Sequence, residues 1–315
     1  MDIMQNILLF ILGIAFLYFG GEGLVKGSSR LARSLGINPI VIGLTIVAFG
    51  TSAPEFVVSI IAALRGSSDL VIGNIVGSNI SNIGLILAIS ALISPLVVQM
   101  RLLRVEVPIM IILSTVLYLI AFNLIIGLFE GILIFLCLST FLIYSSINAL
   151  KESKIVASEY QEFLGTDNSF FKNSLFILLG LIALIIGARL VVNSSILMAK
   201  EMGIGELVVG ITAVAIGTSL PELSTSIVAA YRKEHDIVVG NIIGSNIFNI
   251  GILGFVSIIH PINVNSGVLK YELPVMILFA LSVIPIMRTG FKISRLEGIV
   301  LLLFYLLFII FLFLK

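Results

Sequence analysis

The sequence predicts an all-α polytopic membrane protein of ten transmembrane helices, built as two inverted five-helix repeats with helices 2, 3, 7 and 8 broken. Three observations predict it. Hydrophobic residues make up 59% of the chain and charged residues only 11%, at a mean hydropathy of +1.22, whereas a soluble domain carries about a quarter charged residues. The apolar sequence divides into ten runs, each near the roughly 20 residues that cross a bilayer. Inside those runs a polar block occurs twice at a constant offset of 167: Gly50-Thr51-Ser52-Ala53-Pro54-Glu55 returns as Gly217-Thr218-Ser219-Leu220-Pro221-Glu222.

The first apolar run, 5–25, has no Lys or Arg before it and no small-x-small cleavage site after it. Lys26, Arg30 and Arg33 follow it instead. It therefore reads as a first transmembrane helix with its N-terminus outside, not as a cleaved signal. The next spans are expected at 38–64, 70–93, 105–123 and 127–149, then at 173–198, 206–230, 237–259, 270–288 and 296–314. The second, third, seventh and eighth are interrupted by Gly or Pro and hold the motifs. Between the fifth and sixth lies the one long polar stretch, Lys151 to Lys172, which reads as a linker. The expected organisation is a first repeat over 1–150, a cytoplasmic linker over 151–172 and a second repeat over 173–315. On this count thirteen Lys and Arg fall in cytoplasmic loops against four outside, as the positive-inside rule requires. Both termini are then expected outside.

The repeat is close. Residues 45–55 match 212–222 at 8 of 11 positions, and 71–84 match 238–251 at 11 of 14. Five spans per half is an odd number, so the second half enters the membrane inverted. Secondary transporters use this architecture, with the substrate site at the interface of the repeats.

Pro54 has no N–H, so the carbonyl of Gly50 loses its helical partner, and Pro221 does the same to Gly217. A freed carbonyl inside a membrane must face protein, water or a cation. Thr51, Ser52 and Glu55 lie three or four residues apart and share a helix face, as do Thr218, Ser219 and Glu222. Gly73-Asn74-Ile75-Val76-Gly77-Ser78-Asn79-Ile80-Ser81-Asn82 and its repeat over 240–249 add Ser78 with Asn82, and Ser245 with Asn249, again four apart. These ligands are all oxygens, which suit hard cations such as sodium and calcium. Two carboxylates balance one calcium ion, and an ionisable residue mid-membrane is functional by default. Asn74, Asn79, Asn241 and Asn246 read as helix caps beside glycines. Glu22 and Arg189, at equivalent positions, read as snorkelling. Glu106, Glu130, Glu272 and Glu297 read as solvated span ends, and His235 and His260 lie at span ends too. Cys137, the one cysteine, excludes a disulfide or thiolate cluster within the chain.

The paired motifs GTSAPE with GSNISN, and GTSLPE with GSNIFN, resemble the two α-repeats of sodium/calcium exchangers, in the calcium:cation antiporter superfamily. With no large insert between the halves, the chain is similar to the compact prokaryotic members. The resemblance implies that Glu55 and Glu222 bind calcium and share sodium ligation, with Thr51, Ser52, Thr218 and Ser219. It implies that Ser78 and Ser245 complete sodium sites towards opposite faces, that the carbonyls of Ala48 and Ala215 ligate, and that Asn82 and Asn249 sit between the glutamates. Spans 1 and 6 would form a sliding pair. Some relatives carry Asp where this chain has Asn249, which argues against potassium co-transport. The proline-containing motif favours sodium coupling over the proton coupling of related exchangers. The expected function is sodium/calcium antiport by alternating access, normally extruding calcium from the cell across the plasma (inner) membrane. A proton/calcium exchanger of the same fold is the alternative, and a channel is the rival from another class. No enzyme activity, cofactor, nucleic acid or obligate protein partner is expected. The partners are sodium, calcium and the lipid bilayer.

Overall fold

A computed structural model describes residues 3–160, 170–201 and 217–314. Among the described residues eight helices are long and apolar enough to cross a membrane, and a bent pair makes a ninth. In chain order the first are α1 (Ile3–Leu35), the bent pair α2 (Pro39–Thr51) and α3 (Ala53–Leu64), and α4 (Ser68–Ile93). There follow α5 (Met100–Ala121), α6 (Leu128–Tyr160), α7 (Phe170–Glu201) and α8 (Leu220–Tyr231). The last are α9 (His235–Ile259), α10 (Ser266–Arg288) and α11 (Arg295–Leu314). The seventh predicted span is described only from Gly217 onward, so its first half lies outside the described residues. The predicted linker is helical up to Tyr160, as a continuation of α6, and again from Phe170.

Burial identifies the centre. The apolar windows of α4 and α9 are 78% and 83% buried, against 17–33% for the other unbroken spans. The two most enclosed helices are thus the two that carry the Gly-Ser-Asn motifs. Gly240 and Gly244 let α9 close on α2: a Cβ on Gly240 would stand 2.8 Å from the Ile40 carbonyl, and one on Gly244 2.6 Å from that of Leu44. At the edge, α1 and α7 run antiparallel along a second glycine seam. A Cβ on Gly20 would stand 2.8 Å from the Leu184 nitrogen, and one on Gly180 2.6 Å from that of Leu24. Small residues at such crossings let backbones approach in a membrane.

The breaks are fewer than expected. Between α2 and α3 the chain bends by 42°, with Ser52 at φ −79°, ψ 5°, and Ser219 takes nearly the same conformation, φ −86°, ψ 3°, before α8. Helices α4 and α9, by contrast, are not broken. Helix α4 continues through a π-helical turn over Asn82–Leu87, and α9 is one uninterrupted α-helix. The difference is chemical. Pro54 and Pro221 remove a donor and crowd a carbonyl, whereas glycine keeps its N–H and costs a helix only about 1 kcal/mol, which packing on both sides offsets.

Two short antiparallel ladders tie loops together: β1 (Leu96–Val97) with β4 (Lys292–Ile293), and β2 (Ile125–Ile126) with β3 (Ile262–Asn263). Each joins a loop of the first half to a loop of the second.

Glu106, expected at a solvated span end, is instead buried beside Arg101 at 3.3 Å. Glu22, read as snorkelling, pairs with Lys26 and Arg232. Glu130 and Glu297 each accept a backbone N–H at the start of a helix, from Gly127 and Ser294.

Candidate cation-binding site

The proline breaks place Glu55 in the first turn of α3 and Glu222 in the first turn of α8, where helix N–H groups favour an anion. Both side chains are buried, at 0% and 1% exposure. They are joined crosswise. Ser52 Oγ donates to Glu222 Oε1 at 3.1 Å, and Ser219 Oγ stands 3.4 Å from Glu55 Oε1. Under the 167-residue offset these two contacts are counterparts, so each half's serine reaches the other half's glutamate.

Not all of the other predicted residues are seen to reach this pair. Ser78 Oγ lies 3.4 Å from Glu55 Oε1 and 3.2 Å from Ser219 Oγ. Ser245 stands instead beside Thr51, at 3.5 Å, so the two serines are not placed alike. The Ala48 carbonyl lies 3.3 Å from the Thr51 hydroxyl and accepts the Ser52 N–H at 3.0 Å. Asn82 and Asn249 are buried, and Asn249 Nδ2 donates to Asn79 Oδ1 at 3.1 Å. Ala215 lies outside the described residues.

Sequence reasoning missed Asn74 and Asn241. They do not cap helices. Asn241 Oδ1 accepts the Thr51 hydroxyl at 3.0 Å and its Nδ2 donates to Ser226 Oγ at 3.1 Å. Asn74 Oδ1 accepts the Thr218 hydroxyl at 3.2 Å, and its Nδ2 donates to Ser59 Oγ and to the Glu55 carbonyl at 3.0 and 3.1 Å. A signal was available: each asparagine precedes Ser78 or Ser245 by four residues, on the same helix face.

Buried polar atoms are almost always paired. Among the described residues Glu55 Oε2, Glu222 Oε2, Asn249 Oδ1 and both amide atoms of Asn82 are buried without a hydrogen-bond partner. The two carboxylates, linked through Ser52 and Ser219 and each with a buried unpartnered oxygen, are hard donors in a dry surrounding, fit for a hard cation. No cluster of three or more His, Cys, Asp or Glu occurs among the described residues, so the donor set consists of two carboxylates supplemented by neutral oxygens.

Comparison with known proteins agrees with this chemistry. The family model described as sodium/calcium exchanger protein matches residues 5–150 and 172–314. The chain is 36% identical to the sodium/calcium exchanger MaX1 of Methanosarcina acetivorans over 98% of both chains. It is 37% identical to the inner membrane protein YrbG of Escherichia coli, over 87% of this chain and 86% of that one. Among solved structures it is similar to the sodium-calcium exchanger NCX_Mj soaked with 2.5 mM Na+ and 10 mM Sr2+, at a TM-score of 0.85 and 31% identity, covering 98% of this chain and 99% of that one.

Proposed function

Since the chain belongs to the sodium/calcium exchanger family, whose members are membrane transporters and not enzymes, we propose that it exchanges sodium for calcium by alternating access and normally extrudes calcium. The observation that carries this reading is the crossed pair of buried glutamates, each held by a serine of the other half and each with an unpartnered oxygen. Two carboxylates balance one calcium ion. The same oxygens serve sodium, and because one pair of charges does not neutralise both fillings, the two cations compete. In this scheme Glu55 and Glu222 are shared ligands, helped by Thr51, Ser52, Thr218 and Ser219. Ser78 and Ser245 serve sodium towards opposite faces, the carbonyls of Ala48 and Ala215 add ligands, and Asn82 and Asn249 lie between the glutamates. Asn249, in place of a carboxylate, speaks against potassium coupling.

The topology belongs to the same reading: repeats over 1–150 and 173–315, inverted, joined by a linker over 151–172, with both termini outside the inner membrane. The ladders support ten spans by parity. Paired strands share a side of the membrane, so an even number of crossings separates β2 from β3. The spans Leu128–Asn148, Phe170–Met198 and His235–Ile259 make three. The proposed ten spans supply the fourth crossing between α7 and α9, where α8 lies.

The test is uptake of radiolabelled calcium into proteoliposomes loaded with sodium, potassium or choline at matched pH. Uptake from sodium-loaded vesicles alone is expected. Equal uptake from all three, driven instead by an imposed pH gradient, would move the protein to proton coupling. Glu55→Gln and Glu222→Gln are each expected to abolish uptake while leaving a monodisperse, folded protein; undiminished flux in either would remove the carboxylates from the mechanism.

A further inference from the structure

A threonine hydroxyl has one hydrogen and two lone pairs, and a cation is attracted only to the lone pairs. Within a helix the hydrogen ordinarily returns to a carbonyl three or four residues back. For Thr51 that acceptor is the Ala48 carbonyl at 3.3 Å, one of whose lone pairs already serves the Ser52 N–H. A hydroxyl bonded there would occupy the other. The structure offers a nearer acceptor, Oδ1 of Asn241 at 3.0 Å, on the facing helix of the other half. It competes for the hydrogen with the Glu222 carboxylate, which the same hydroxyl also approaches.

The orientation of that amide is set from its far side, where Nδ2 donates to Ser226 Oγ at 3.1 Å. The same arrangement recurs with the halves exchanged. Thr218 donates to Asn74 Oδ1, and Asn74 is held by Ser59 and by the Glu55 carbonyl. Thr51, Asn241, Ser59 and Ser226 are at most 0% exposed, and Asn74 and Thr218 only 5% and 6%, so these bonds form away from competing water. An amide supplies an accepting oxygen and an orienting donor without adding charge to the site.

We propose that Asn74 and Asn241 are positioning residues, each drawing the hydroxyl hydrogen of the opposite half's threonine away from the site. Thr51 and Thr218 then present lone pairs to a bound cation, and the Ala48 carbonyl keeps one free. The inference rests on the cation-site reading above, and it assigns the two asparagines a role through the threonines, not as ligands. Loss of such an outer partner costs about 10- to 100-fold in metal affinity.

The experiment is equilibrium binding of radiolabelled calcium to the purified full-length protein, with a double-mutant cycle. Thr51→Val and Asn241→Leu are each expected to weaken binding about tenfold. If Asn241 acts through Thr51, the double variant stays near tenfold. The mismatched pair Thr51→Val with Asn74→Leu should approach about a hundredfold, because independent effects multiply. A merely structural asparagine would give multiplied losses in the matched pair as well, and that result, or unchanged binding in Asn241→Leu, overturns the proposal. Should Asn241→Leu not fold, Thr218→Val with Asn74→Leu reads the same relation from the other half. A wild type that binds calcium but shows no sodium-driven uptake overturns the proposed exchange and leaves this inference standing. Multiplied losses beside normal exchange overturn this inference alone.

Discussion

Glu55 and Glu222 are costly as isolated side chains, since a buried carboxylate without full pairing loses more hydration than its neighbours return. Each keeps one oxygen without a partner among the described residues. The cost has a testable sign. In ion-free buffer Glu55→Gln, which removes a charge, should unfold at or above the wild-type temperature. With calcium at a hundred times its dissociation constant the wild type should gain about 2.7 kcal/mol and the variant nothing, so their order reverses in scanning calorimetry. An unchanged order would mean that calcium binds elsewhere. These glutamates were legible in the sequence because a carboxylate in an apolar run has few bland explanations. Asn74 and Asn241 were not, because an amide beside glycine also reads as a cap, and only the facing helix reveals what it accepts. Glu106 failed similarly: its position near a span end implied solvent, and its burial beside Arg101 depends on tertiary packing.

At the level of elements, the motif prolines signalled breaks and the motif glycines did not. Pro54 coincides with the described bend and Pro221 with the turn before α8, where the missing N–H frees a carbonyl, although Pro285 lies inside α10 without ending it. Glycines in α4 and α9 promised breaks, yet Gly240 and Gly244 instead serve close approach to α2. Periodicity does not separate those two uses; the neighbour does. The seam between α1 and α7 allows a controlled test on one helix. A Cβ at Gly20 would meet backbone at 2.8 Å, whereas one at Gly23 finds its nearest atom at 3.4 Å, an ordinary contact. Gly20→Ala should therefore lose about 1–3 kcal/mol of stability through overpacking and slow exchange, while Gly23→Ala should do neither. Equal behaviour of the two in thermal unfolding would mean that α1 and α7 can separate without cost.

Across the whole molecule the two halves are alike in their motifs and unlike in their charges. Two contacts of opposite polarity fasten α1 to the turn between α8 and α9. Glu22 pairs with Arg232, and Arg33 with Glu234 at 3.2 Å, where Ser29 also donates to Glu234 at 2.8 Å. The offset of 167 carries Glu22 and Arg232 onto Arg189 and Arg65, which are both cations. An alternating-access cycle between mirror-related states would thus find this fastening in one state and repulsion in the other. Partly exposed pairs contribute about 0–1 kcal/mol each, enough together to shift a two-state balance severalfold. Spin labels at Arg30 and Val97, in a Cys137→Ser background, would report the position of α1. Glu22→Gln with Glu234→Gln should move part of the distance distribution to the second state. Arg65→Glu, which gives Arg189 an opposite charge to meet, should move it the same way. The reversed pair Glu22→Arg with Arg232→Glu should restore the original distribution. A distribution indifferent to all three changes would mean that these charges do not set the resting state, leaving the cations and the apolar seams to decide it.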